Sequence, residues 1–107
     1  MTRPLRIEFE GAFYHVTSRG NERKKIFFTP RDYDKFKEYV AEARLKFGFI
    51  LHGYVLMTNH YHLLIETPDK NLQKIMQYIN SCYSTYTNVK RRRSGHLFQK
   101  VQGNNSR

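Results

Sequence analysis

At 107 residues, with 39% apolar and 15% aromatic side chains, the chain is sized for one domain with a true hydrophobic core and is too rich in core-forming residues to be a disordered tail. Nineteen Lys and Arg against nine Asp and Glu leave a formal charge of +10, which favours a polyanionic partner over an acidic small molecule and puts nucleic acid first. No stretch has the uncharged length of a spanning helix or a signal-peptide core, and the single cysteine, Cys82, cannot close an internal disulfide, so a soluble cytoplasmic protein without a membrane partner is expected.

Residues 1–10 carry Arg3 and Arg6 around Pro4 and read as an irregular basic arm. Residues 12–18, with Phe13, Tyr14, Val16 and Thr17, predict the first strand. A turn follows in which Arg19, Arg23, Lys24 and Lys25 surround Gly20 and Asn21. Such a loop suits phosphate contacts, although an ordinary solvated turn has the same composition. Ile26-Phe27-Phe28 returns to apolar character as a short edge segment.

The first helix has a complete start signal: Thr29 as N-cap, Pro30 at the first position, Asp32 three residues after the cap. Tyr33, Phe36, Val40, Ala43 and Phe47 then recur at helical spacing, and Gly48 ends the element. Its mixed charges describe a solvated outer face, so it reads as scaffold. Residues 49–57 predict a second strand, Thr58-Asn59 a break, and residues 60–66 a third strand pairing antiparallel with the second. A second helix is expected over 71–90, with Leu72, Ile75, Met76, Ile79, Cys82, Tyr83, Tyr86 and Val89 on one stripe and Lys90 to Arg93 at its C-terminal, dipole-favoured end. Ser94-Gly95 turns into a fourth extended piece over 96–99.

The order strand, helix, strand, strand, helix, strand predicts an α+β, ferredoxin-like fold: an antiparallel sheet with two helices on one face. That fold hosts many functions, so activity has to be argued from a site. The most informative candidate is His60-Tyr61-His62, which follows the apolar run Tyr54-Val55-Leu56-Met57 and precedes Leu63-Leu64-Ile65. In a strand, alternate side chains share a face, so His60 and His62 project together while Tyr61 points away. Two imidazoles so placed can grip one divalent cation. Two hydrogen-bonded histidines at the end of a buried strand would show the same spacing, and the pair alone does not exclude that.

The string Met57-Thr58-Asn59-His60-Tyr61-His62-Leu63-Leu64 resembles the His-hydrophobe-His strand of the HUH single-tyrosine transposases, particularly the group associated with repetitive extragenic palindromes. Tyr14-His15-Val16-Thr17-Ser18-Arg19-Gly20-Asn21, His52-Gly53-Tyr54-Val55-Leu56-Met57 and Gly95-His96-Leu97-Phe98-Gln99 look like the same family, so ordered blocks span most of residues 3–99. The resemblance implies DNA transposition by sequence-specific binding of hairpin-forming single-stranded DNA, metal-dependent cleavage through a tyrosine, and strand transfer. It further implies Mg2+ or Mn2+ held by His60 and His62, with other ligands completing a shell that two imidazoles leave open, and action as a homodimer. Arg19, Arg23, Lys24 and Lys25 are then the first candidates for phosphate contacts, and Arg91, Arg92 and Arg93 the second.

The chain also departs from the family. In relatives the nucleophilic tyrosine lies on a further helix beyond the last matched strand, whereas residues 100–107 contain no tyrosine and no apolar periodicity. Residues 1–99 are therefore expected to be the transposase-like domain without its tyrosine helix, and 100–107 a divergent, truncated or frameshifted tail. Tyr83 and Tyr86 fall on the apolar stripe and Tyr78 off its centre; none matches the family nucleophile, so no catalytic residue is assigned and impaired cleavage is expected. His15, His52 and His96 read as structural, Asn59 as orienting the turn, and Glu66 as sharing the parity of the histidine pair at some distance along the strand. The competing readings are a non-catalytic single-stranded nucleic-acid-binding module of ferredoxin-like fold, and a defective fragment that pairs with a full-length relative and modulates it.

Overall fold

A computed structural model describes residues 11–93, 95, 97–98 and 102–105. Its elements are β1 (Ala12–Arg19), a 3-10 turn at Asn21–Arg23, α1 (Pro30–Phe47), β2 (Ile50–Leu56), β3 (His60–Thr67), α2 (Leu72–Lys90) and β4 (Gln102–Asn105). The sheet runs β2-β3-β1-β4 with every neighbouring pair antiparallel. Each helix thus connects two parallel strands separated by a third, which is the interleaved βαβ arrangement of the expected ferredoxin-like fold.

The local chemistry explains the boundaries. The hydroxyl of Thr29 accepts from the Asp32 N–H at 3.3 Å, and the Asp32 carboxylate accepts in return from the N–H groups of Thr29 at 3.1 Å and Phe28 at 2.9 Å. This closes the capping box and satisfies donors that the first turn leaves without partners. At the other end Gly48 adopts φ 74°, a left-handed conformation that most side chains disfavour, and its N–H returns to the Arg44 carbonyl.

The core lies on one face of the sheet. Ala12, Tyr14 and Val16 of β1 and Tyr61, Leu63 and Ile65 of β3 are buried against Phe36, Val40 and Ala43 of α1 and Leu72, Ile75, Met76, Ile79 and Tyr83 of α2. Burying each large side chain of this kind contributes about 1.5–3 kcal/mol. Two buried tyrosine hydroxyls in this layer have partners: Tyr61 donates to the Asn80 side chain and Tyr83 to the Ile26 carbonyl at 2.6 Å. Tyr78 donates to Glu42 at 3.2 Å and links the helices, while Asp32 accepts from Lys90 and Tyr86, each at 2.8 Å. The opposite sheet face, carrying Phe13, His15, Thr17 and Arg19 on β1 and His60, His62, Leu64 and Glu66 on β3, has no helix on it among the described residues.

Four sequence expectations shift. Among the described residues the fourth strand lies over Gln102–Asn105, in the segment read as a divergent tail; of the piece expected over 96–99, only Leu97 and Phe98 are described, and neither belongs to it. Leu97 is buried and Phe98 packs on Tyr61 and Tyr83, so this apolar pair serves the core; Phe98 contributes only an isolated bridge to Gly20. Strand β4 instead arises from backbone pairing with Tyr14 to Thr17 at a sheet edge, which hydrophobic alternation does not report. Ile26 and Phe27 form no strand; both are buried, and their N–H groups donate to the single Thr58 carbonyl at 2.8 and 3.1 Å. On α2 the stripe ends before Val89, which is 74% exposed, and Cys82 is half-buried at its margin.

Candidate metal and nucleic-acid site

Antiparallel pairing of β1 with β3 sets Thr17 opposite His62 and Arg19 opposite His60. The expected parity holds: His60 and His62 project from the open face, half-buried, with ring centroids 5.0 Å apart and planes at 90°. Each ring is held through its Nδ1. That of His60 lies 2.8 Å from Asn59 Oδ1; that of His62 lies 3.0 Å from Thr17 Oγ1 and 3.0 Å from His15 Nε2. Burial pushes the His62 pKa below the ordinary imidazole value, helped by the neighbouring His15, His60 and Arg19, each of which disfavours a further positive charge. A neutral imidazole is the form that can donate a lone pair to a metal.

From sequence, His15 reads as structural and Thr17 is not singled out. A signal existed, since both sit on the open-face parity of β1, but only the register shows that they meet His62. His15, His62, Gly53, Val55 and Leu64 line a shallow hollow of about 320 Å³ on this face. Glu66, four residues along β3 from His62, is instead paired with His52 at 3.0 Å. His52 sits where a bulge between Leu51 and Gly53 breaks the β2–β3 register, and its ring lies 5.3 Å from that of Phe13. His96 lies outside the described residues. Among the described residues, no group of three or more His, Cys, Asp or Glu is arranged to hold a metal ion, so any cation here would take further ligands from elsewhere.

The basic loop is fastened to the same end of the sheet. The Gly20 N–H donates to the Asn59 carbonyl at 2.8 Å, and the Asn59 side-chain N–H reaches the Arg23 carbonyl at 3.4 Å. A Cβ at residue 20 would collide with the Lys24 carbonyl, so glycine is required for this close approach. Glu22 and Arg23 take φ of 58° and 60°, tightening the loop and leaving Arg23, Lys24 and Lys25 exposed at its tip. Lys24 is partly spoken for by Glu22 at 3.2 Å. Arg19 is half-buried beside His60.

The second cluster lies close by. The Arg91 guanidinium stacks 3.8 Å above the ring of Phe28, which follows the basic loop by three residues, and Arg92 at φ 54° points into solvent. Arg93 is half-buried and its N–H returns to the Asn88 carbonyl at 2.9 Å. Of this cluster, Arg91 thus lies against the segment that follows the basic loop. Lys90 differs, because its ammonium is committed to Asp32.

Seven of the eight tyrosines lie away from this surface. Tyr14 and Tyr61 face the core, Tyr33 and Tyr39 ride on α1, and Tyr78, Tyr83 and Tyr86 on α2. Tyr54, 50% exposed, is the exception: it lines both the hollow beside His15 and His62 and a groove with Phe36, Lys37, Val40 and Arg44 on the helix side.

The sheet is ferredoxin-like, and its open face holds a histidine pair beside a basic rim. The chain belongs to the family of IS200-like transposases, whose model matches residues 8–103. No curated protein matches it. Among solved structures, it is similar to a tyrosine transposase associated with REP sequences, bound to a REP hairpin: TM-score 0.83 at 14% identity, covering 100% of this chain. This chain spans 63% of that one. A crystal structure from Deinococcus radiodurans R1, provisionally named a transposase, matches at TM-score 0.70 and 14% identity over 96% of this chain and 85% of the other. At such identity the likeness concerns the fold. No helix among the described residues is long and apolar enough to cross a membrane.

Proposed function

We propose that this domain serves DNA transposition by binding hairpin-forming single-stranded DNA over the open sheet face, with Mg2+ or Mn2+ held through Nε2 of His60 and His62. The observation that carries this reading is that both Nδ1 atoms are engaged by protein groups while both rings share the open face. The donor set fits in part. Two neutral imidazoles supply nitrogen ligands that Mn2+ accepts readily, and the oxygen ligands that Mg2+ and Mn2+ prefer would come from phosphate and water. A cation bound there would polarise a scissile phosphate and offset its developing charge.

The chain's own residues do the rest. Arg19, Arg23, Lys24 and Lys25, with Arg91, Arg92 and Arg93 behind them, draw the backbone toward the histidines and fix its register. In the ligand-competent tautomer of His62 either Thr17 Oγ1 or His15 Nε2 accepts its one Nδ1–H, and the two contacts together hold that ring against rotation. The similar structure bound to a REP hairpin supports a folded single strand as partner, and a homodimer in the cytoplasm is the expected working form. Because no tyrosine here corresponds to the family nucleophile, we assign none and expect the 107-residue chain to be impaired in tyrosine-mediated cleavage.

Phe13 and His52, ring to ring on the same open face, favour the second reading, a metal-independent single-strand binder that stacks bases. One experiment separates them. The purified chain is incubated with a fluorescent hairpin oligonucleotide, with and without Mn2+; anisotropy reads binding and a denaturing gel reads covalent product. Binding strengthened by Mn2+ and lost from that response in His60→Ala/His62→Ala supports the metal reading; binding indifferent to Mn2+ and to the substitutions supports the plain binder. A robust protein–DNA adduct refutes the impairment.

A further inference from the structure

Asn59 has the environment of a residue that sets one tautomer. Its amide is pinned from both sides: the N–H end donates to the Arg23 carbonyl at 3.4 Å, which leaves Oδ1 facing His60 Nδ1 at 2.8 Å. A carbonyl oxygen only accepts, so the bonded ring nitrogen has to be the donor. The Arg23 carbonyl is itself fixed, because Glu22 and Arg23 hold left-handed backbone angles and the Gly20 and Asn59 backbones are bonded to each other at 2.8 Å.

We infer that Asn59 is a positioning residue: it holds His60 as the Nδ1–H tautomer, turns the Nε2 lone pair outward as a ready ligand, and ties that orientation to the basic loop through the Arg23 carbonyl. An imidazole that is free to exchange tautomers carries its proton mostly on Nε2, where it would block a cation. Asn59 removes that cost before any metal arrives. The same chain of bonds joins the phosphate-contacting loop to a metal ligand, so moving the loop changes the ligand's readiness. The assignment to metal binding rests on the reading of His60 given above; the tautomer itself does not.

The test is a long-range 1H–15N spectrum of the metal-free protein near pH 7.5, followed by a Mn2+ titration of the same samples. The wild type should show His60 with a protonated Nδ1 and an unprotonated Nε2. Asn59→Ala should move His60 toward the Nε2–H pattern while the backbone amide spectrum stays folded, and Asn59→Asp, which keeps an acceptor oxygen, should restore Nδ1–H. Mn2+ affinity of Asn59→Ala should fall at least about tenfold, the scale seen when an orienting partner of a ligating histidine is lost. A wild-type His60 already in the Nε2–H form overturns the inference without any variant, and so does an unchanged ring in folded Asn59→Ala. If the tautomers behave as stated but the wild type binds no Mn2+, the metal reading falls and the positioning stands.

Discussion

Asp32 closes the N-terminal cap of α1 and at the same time receives Lys90 and Tyr86 from the C-terminal turns of α2, so one buried carboxylate joins two helix ends. Burial alone would raise its pKa; the bonds from Lys90, the Phe28 N–H, Tyr86 and the Thr29 N–H together outweigh that and bring it down to about 2. The ordinary value is 3.8, and a shift of this size corresponds to about 2.4 kcal/mol of folding free energy. The folded pKa lies below the unfolded one, so this stabilisation is complete above pH 5 and declines as pH falls toward 2. At pH 3 about 1 kcal/mol of it is gone, because the unfolded carboxyl is by then mostly protonated and the folded one mostly not. Urea unfolding of the wild type and Asp32→Asn at pH 6 and pH 3 isolates the effect, since the other carboxylates titrate in both proteins. The wild type should be more stable at pH 6, and its advantage should shrink by about 1 kcal/mol at pH 3. An advantage independent of pH would refute the reasoning.

Gly20→Ala should destabilise by about 1–3 kcal/mol, read as a lower thermal midpoint, because the new methyl group meets the Lys24 carbonyl and displaces the loop from Asn59. Tyr83→Phe should cost about 1–3 kcal/mol in urea unfolding by leaving the buried Ile26 carbonyl without its donor. Replacing Arg23, Lys24 and Lys25 with Gln should weaken hairpin binding and lower the slope of log K against log salt by about 2, at roughly 0.7 per phosphate contact on a single strand. An unchanged slope would remove the loop from the interface.

The helices and the sheet core were legible because their signals are local. The Thr29–Asp32 cap, Gly48 and the α2 stripe each follow from residues close in sequence. His60 and His62 were legible as a pair because strand parity is also local. Their partners were not. His15 and Thr17 reach His62 across 47 and 45 residues of sequence, and His52 claims Glu66 only because a bulge brings it there. Strand β4 was invisible for a related reason: Gln102 to Asn105 have no hydrophobic alternation, and a short edge strand is dictated by the vacant backbone groups of β1.

The central claim is that the two imidazoles on the open face form one cation-binding pair. Pulsed EPR of Mn2+ added to the metal-free chain measures this directly, because nitrogen bound to the ion modulates the electron spin echo. The wild type should show 14N couplings from two imidazoles, reduced to one by either His60→Ala or His62→Ala and absent from the double variant. A spectrum of fully hydrated Mn2+, or nitrogen couplings that persist in the double variant, would contradict it.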